Sequence, residues 1–453
     1  MRFRNTLACL LATPLACIDY AWAVGDQADA KGFIDDAHLD MLNRNFYFRR
    51  DYEHDGVSGV GRNPYKSRDE RSRYSEEWVQ GLMINYASGY TRGTVGLGID
   101  AYNYTAIKLD SGGGRAGIRL LPLHDDGEPD DSYSKTGGAL KVRVSRTELK
   151  YGNLFPAVPV FWVNQVRLFP SSATGFMLAS DDIEDLHLDA GHFTAKGSVD
   201  SSNNDDALAL DYGLPISIRS IDYLGGVWKP TERLRVSLYG SNLKDTWHQY
   251  YANLTYRQPL TATQSLSLDA NVYRTTDTGK QLASTIDNTT WSLAAAYKMQ
   301  AHTLTLAYQR VDGNEPMDWP GFGTMGGGVA LANAVQYATF TEANERSWQL
   351  RYDLDMAAFG VPGLTFMTRY VRGDHIGNAH SDNTYYTSRY RYPEGSDTRH
   401  WERDIEARYV VQSGTAKDLS FRLRQATHRA STGYRYADIN EVRLIVDYPI
   451  NIF

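Results

Sequence analysis

Long runs of strict two-residue alternation, with no apolar stretch long enough for a membrane helix downstream of the N-terminus, constrain this chain more than any other feature. Between Gln264 and Arg274, Leu266, Leu268, Ala270 and Val272 share one face, and Ser265, Ser267, Asp269 and Asn271 share the other. From Thr290 to Met299 the apolar phase is Trp291, Leu293, Ala295, Tyr297 and Met299. From Ser347 to Asp355, Trp348, Leu350, Tyr352 and Leu354 oppose Gln349, Arg351, Asp353 and Asp355. Near the end, Val442, Leu444, Val446 and Tyr448 oppose Glu441, Arg443 and Asp447. A period of two marks strands with one apolar and one polar face. These runs exceed the ~5 to 6 residues of an average soluble strand and match the ~9 to 11 that cross a bilayer at a tilt.

Composition supports that reading. The chain carries 31 Tyr and 39 Gly, yet its mean hydropathy is -0.46. A barrel wall reconciles aromatic richness with average polarity, because lipid-facing and lumen-facing residues alternate. A soluble sandwich or propeller alternates too. Strand length and the Tyr and Trp near the ends of the apolar faces favour the barrel, since those rings settle at headgroup depth.

At the N-terminus, Arg2 and Arg4 precede an apolar run from Leu7 to Ile18, then Ala21-Trp22-Ala23. This is the pattern of a secretory signal peptide, and cleavage after Ala23 is expected. Acylation of Cys17 is disfavoured, because Pro14 stands where a Leu is expected. Residues 24–453 then form one domain, as no linker or composition break divides them. Cys9 and Cys17 both fall in the segment to be removed, so no disulfide can close the fold.

Long polar segments at 51–76, 110–136, 195–207, 312–334 and 373–400 alternate with short turns, as long loops at one rim and short turns at the other require. The length fits the porin class of roughly 16 to 18 strands, wide enough to leave an aqueous lumen. Phe453 ends the chain, although Pro449 and Asn451 are expected to interrupt the alternation that leads back from it.

The sequence resembles the OprD family of outer-membrane substrate-specific porins. The likeness spans the whole mature chain in ordered blocks: Lys31 to Asp36, Gly93 to Gly98, Arg167 to Pro170 with Ala173 to Phe176, Asn288 to Tyr297, Val361 to Met367, Tyr409 to Gly414 and Arg443 to Pro449. It implies an all-β, transmembrane antiparallel barrel of 18 strands, with inward-folded constriction loops. It also implies a monomer or loose homotrimer in a Gram-negative outer membrane, taking up small carboxylate-bearing solutes. Within the family, Arg167-Leu168-Phe169-Pro170, Ala190 to Thr194 and the Gly-rich loop are more similar to the branch that favours amino acids and small peptides than to the branch that favours aromatic acids.

Phase identifies which charges face water. Leu419, Phe421 and Leu423 leave Ser420, Arg422 and Arg424 on the other face. An arginine turned to the lipid midplane costs roughly 2 to 4 kcal/mol, so both point into the lumen. The same argument turns Arg408, Arg443, Lys141 and Arg143 inward. The resemblance implies that Arg408, Arg422, Arg424 and Arg443, with Arg143, form a basic ladder for anionic groups. A second reading, that they merely neutralise lumen acids such as Glu406 and Asp447, stays open. By resemblance, the pore is narrowed by segment 156–175, with Arg167 and Phe169, and by the Gly-rich segment 321–337, with Gly323, Gly326 and Gly328.

Other functions lack their residues. Gly112, Gly114 and Gly117 spell GxGxxG, but no helix follows, so no dinucleotide site is expected. His192 and Asp245 invite a triad, yet no GxSxG or HExxH accompanies them, and no zinc spacing occurs. The expectation is a channel, with no catalytic residue, metal, cofactor or nucleic-acid partner, in contact with membrane lipid. Too few residues precede the first strand for the plug of a gated receptor. A non-selective diffusion porin is the alternative, and a barrel enzyme a more distant one.

Overall fold

The computed structural model describes residues 24–53, 60–322, 328–392, 394–395 and 397–453. Residues 1–23, and with them the expected signal peptide, lie outside the described residues, as do Gly323 and Gly326.

Among the described residues, 18 strands form one antiparallel sheet, each paired with its neighbours in sequence. The first, His38–Glu53, pairs with the last, Asp438–Asn451, from Asp40 opposite Asn451 to Glu53 opposite Asp438. The sheet is therefore closed, and every strand finds partners on both sides. Among the described residues, no helix is long and apolar enough to cross a membrane.

The wall is apolar outside and polar inside. Leu268, Leu293, Leu306 and Leu350 are exposed on the outer surface, while Asn271, Ser292, Thr305 and Gln349 are buried on the lumen side. The last strand keeps this phase to its end. Pro449 lies opposite Leu42 on the inner face and Ile450 opposite Met41 on the outer, so Pro449 and Asn451 do not break the alternation. They belong to the inward phase, and the apolar series ends on Ile450 and Ile452.

One rim has short turns at 145–146, 184–185 and 232–233, whereas the other has connections at 54–73, 111–131, 155–171, 198–220, 313–345 and 377–397. The fourth runs further than its polar residues indicated, because 207–219 forms only isolated bridges, Leu208 to Ile218 and Leu210 to Pro320. Several of these connections fold into the barrel. Met317, Trp319, Val329 and Leu331 pack with the lumen-facing Tyr239, Tyr251 and Tyr273. Leu168 and Phe169 join Phe46, Phe48 and Val79 in a second cluster.

Candidate functional site

Three adjacent strands, Thr398–Val410, Ser420–Ala430 and Asp438–Asn451, carry the arginines of one lumen wall. Arg422 lies opposite Arg408 and also, on its other side, opposite Ile445; Arg424 lies opposite Glu406 on one neighbour and Arg443 on the other. Phe421 and Leu423 are 42% and 49% exposed on the outer face, which fixes the arginines inward. Directly opposed like charges repel. Shared carboxylates offset the repulsion: Glu406 Oε2 is 2.7 Å from Arg422 and 3.1 Å from Arg424. Glu441 likewise serves Arg443 and Arg50, each at 2.6 Å. One carboxylate per two guanidiniums leaves net positive charge at both places.

The two places differ in access. Side chains of Arg422 and Arg424 keep 20% and 16% exposure, whereas Arg443 keeps 3%. Arg443 lies beneath the loop 313–345, donating to Gln336 O at 3.3 Å, with its guanidinium 4.4 Å from the Phe48 ring centre. Four further arginines extend the wall: Arg44 with Asp447 at 2.7 Å, Arg50, Arg351 with Asp353 at 2.7 Å, and Arg369 with Asp404 at 2.6 Å. Sequence phase did not reveal Arg44 and Arg50, because the first strand turns Phe46 and Phe48 inward and Asn43 and Asn45 outward. The alternation of Trp348, Leu350, Tyr352 and Leu354 had already placed Arg351 on the polar face.

The loops are fastened by groups from the wall. Glu77, fully buried, accepts four backbone N–H bonds from loop 111–131: Gly117 at 2.9 Å, Ile118 at 3.1 Å, Leu120 at 2.7 Å and Leu121 at 3.1 Å. Gly117 has φ +110°, and an added Cβ would meet the Asn63 backbone at 3.0 Å, so the glycine that completes GxGxxG serves this turn. Glu402 accepts the Tyr337 and Ala338 amides, both at 2.8 Å. The Tyr273 hydroxyl donates to Pro159 O and accepts from Ala330 N, each at 3.0 Å, tying the loops 155–171 and 313–345 together.

Phe169 is fully buried, and Gly81 on the wall makes room for it: a Cβ there would stand 3.1 Å from its ring and 3.0 Å from Leu168. Arg167 is also buried, donating from Nε to Ile118 O at 2.9 Å, so it joins two loops. Burial, with Arg443 and Arg50 nearby, depresses its pKa well below the ordinary value. Gly328 packs against Trp319.

Arg143 stands apart from this wall. It donates to Gln27 Oε1 at 3.0 Å and lies 3.9 Å over the Tyr90 ring, at the short-turn rim. Gln27 and Val24 belong to a segment that runs inside that rim, with Val24 N 2.5 Å from Asp181 Oδ2. His192 pairs with Asp222 at 2.7 Å and Asp245 with Lys280 at 3.9 Å, so the two suspected triad members have separate partners. No group of three or more metal-ligating side chains is found among the described residues.

The arrangement can hand an anion along a water-exposed track of weak sites. Comparison with known proteins shows similarity to outer-membrane porins. The family described as outer membrane porin, OprD family, matches residues 31–452. Porin D of Pseudomonas aeruginosa PAO1 is 48% identical over 461 residues, covering 100% of both chains. The crystal structure of Pseudomonas aeruginosa OprD superposes with a TM-score of 0.80 at 46% identity, covering 96% of this chain and 100% of that one. That of Pseudomonas aeruginosa OpdK with vanillate gives 0.79 at 33% identity, covering 93% and 100%.

Proposed function

Because the chain belongs to the OprD family of outer membrane porins, we propose that it is a selective channel for small carboxylate-bearing nutrients, amino acids or small peptides before aromatic acids. It resides in the outer membrane of a Gram-negative bacterium, and its relatives are channels rather than enzymes. The observation that carries the reading is the pair Arg422 and Arg424, lumen-facing, water-accessible and sharing one carboxylate.

A unit charge pair at 4 Å in water is worth about 1 kcal/mol, so each rung attracts a carboxylate yet releases it. The arginines do neutralise lumen acids, as the second sequence reading had it, but Glu406 and Glu441 are each divided between two. Preference for amino acids over aromatic acids rests on the resemblance carried by Arg167 to Pro170, Ala190 to Thr194 and the Gly-rich loop, and the relative crystallised with vanillate is only 33% identical. Oligomeric state follows the family, a monomer or a loose homotrimer. Polar side chains on the outer face, Asn45 with Gln80 at 3.1 Å and Asn103 with Thr136 at 2.8 Å, satisfy one another in a manner compatible with either.

Single-channel current in planar bilayers, recorded with a panel of amino acids, aromatic acids and neutral sugars of similar size, tests the proposal. Carboxylates should interrupt the current at concentrations where sugars do not, amino acids before aromatic acids. Equal response to all would favour a general diffusion porin.

A further inference from the structure

The outer face carries a second set of arginines, confined to the rim with the long loops. Arg310, Arg346, Arg372, Arg399, Arg403 and Arg429 stand on five adjacent strands, His302–Asp312, Arg346–Asp355, Leu364–Ile376, Thr398–Val410 and Ser420–Ala430. All share the phase of the lipid-facing Leu306, Leu350, Ile405 and Leu423, so none belongs to the lumen track. At the opposite end of this face stand Leu304, Leu354, Phe366, Tyr409 and Phe421 instead.

Register makes the patch denser than sequence shows. Arg310 and Arg346 are directly opposed. Across the next strands one row reads Tyr308, Trp348, Arg372, Trp401, Arg429, and Arg403 lies opposite Tyr370. The rings are in mutual contact, Trp348 to Tyr370 at 5.5 Å and Tyr370 to Trp401 at 5.7 Å. A belt of Trp and Tyr marks headgroup depth, so these guanidiniums lie at the level of lipid headgroups.

Carboxylates at this rim do not balance them. Asp312 pairs with Arg310 at 2.5 Å and Asp397 with Arg399 at 3.0 Å, while Asp374, across the ladder from Arg346, pairs with His375 instead. Asp438 accepts the Ala430 amide. Arg429 donates to the carbonyls of His428 and Ile439, and Arg403 to Thr427 at 3.4 Å. Arg346, Arg372, Arg403 and Arg429 have no ion-pair partner among the described residues. Like charges held opposite each other in a sheet destabilise it unless a counter-ion joins them. Planar guanidiniums with unused donors match phosphate oxygens in pairs.

We infer that this rim is a binding surface for the phosphorylated glycolipid of the outer leaflet, with Arg346, Arg372 and Arg403 clasping its phosphate monoesters and Trp348 and Trp401 resting on its acyl-sugar boundary. The long-loop rim faces outward in outer-membrane barrels, which puts the patch in the leaflet where that lipid lies.

The test is native mass spectrometry of the purified full barrel, titrated in detergent with bisphosphorylated lipid A, a phosphate-free analogue, or phosphatidylglycerol. The barrel should retain bisphosphorylated lipid A, and Arg346→Gln/Arg372→Gln/Arg403→Gln should weaken retention at least tenfold while heat-modifiable migration and carboxylate flux stay unchanged. Lysine at the same three positions preserves charge without the fork, and should recover part of the retention. Equal retention of lipid A by parent and Gln variant would overturn the assignment. Retention of phosphatidylglycerol as strong as that of lipid A would do so as well, showing a surface for any anionic lipid. Flux is read separately, so failure here leaves the transport proposal standing.

Discussion

Arg424 lies directly across from Glu406 on the neighbouring strand, yet the carboxylate oxygen 3.1 Å from its Nε is also 2.7 Å from Arg422. A fully paired wall would present alternating charge with little net field. Sharing instead leaves an unneutralised guanidinium facing water, which is the condition for a track that attracts anions without trapping them.

Replacing Arg422 and Arg424 together with Gln should therefore cut carboxylate flux several-fold while neutral sugar flux holds, since pore width barely changes. Ion selectivity should shift toward cations. The difference should shrink as salt rises, because attraction beyond about 8 Å is screened at physiological ionic strength. Liposome swelling at low and high salt reads both effects; equal losses for sugar and carboxylate at all salt concentrations would make the arginines wall supports.

Glu77→Gln should loosen the pore without opening the barrel. Gln presents one acceptor oxygen where the carboxylate presents two, so about half of the four amide bonds are lost or bent, at roughly 1 to 3 kcal/mol for the groups left unsatisfied. Loop 111–131 should become sensitive to protease and sugar flux should rise, with heat-modifiable migration retained. Unchanged protease resistance would mean that Leu120 and Leu121, both buried, hold the loop on their own.

Cleavage after Ala23 would turn the Val24 nitrogen into an α-ammonium group 2.5 Å from the Asp181 carboxylate. N-terminal sequencing of the outer-membrane protein should begin at Val24, and amine-directed acylation of that group should be slow. Asp181→Asn should speed the acylation several-fold. A mature chain starting elsewhere, or an N-terminus equally reactive in both proteins, would contradict the docking.

How far the fold could be read from sequence depended on which residues fill the lumen. Where the inner face is polar, as at Asp269 and Asn271 or Gln349 and Arg351, alternation alone identified strand and face. Where loops pack inside, the lumen face turns apolar, as at Phe46, Phe48 and Val79, and period two no longer tells inside from outside. Arg44 and Arg50 escaped notice for that reason. Arg408, Arg422 and Arg424 were legible because Phe421, Leu423 and Tyr409 alternate with them. The cover over Arg443, and the clasp that buries Arg167, depend on loop packing that no local pattern encodes. Arg143 obeyed its phase, but its partner Gln27 comes from 116 residues away.

The packed loops also carry a pH response. Burial, with Asp318 nearby, pushes the Asp211 pKa up to about 8 despite Arg435, Lys196 and Arg389 close by. Burial pushes Asp318 up to about 6, although the hydrogen bonds its carboxylate accepts from the Trp319 and Tyr212 amides act in the opposite direction. Burial raises Glu345 to about 8, its carboxyl 2.7 Å from His400 Nε2. In unfolded chain such groups titrate near 4. Each folded value lies above the unfolded one, so the fold favours the protonated form. The contribution is complete below about pH 4 and is lost as pH rises, first through about 6 for Asp318 and then through about 8 for Asp211 and Glu345. Loops 198–220 and 313–345 should resist limited proteolysis at pH 5 and be cut faster at pH 9, with sugar flux rising in parallel. Asp211→Asn removes one titrating group and should flatten the upper part of the profile. Cleavage at the same rate at both pH values would show that the loops are held by their apolar contacts alone.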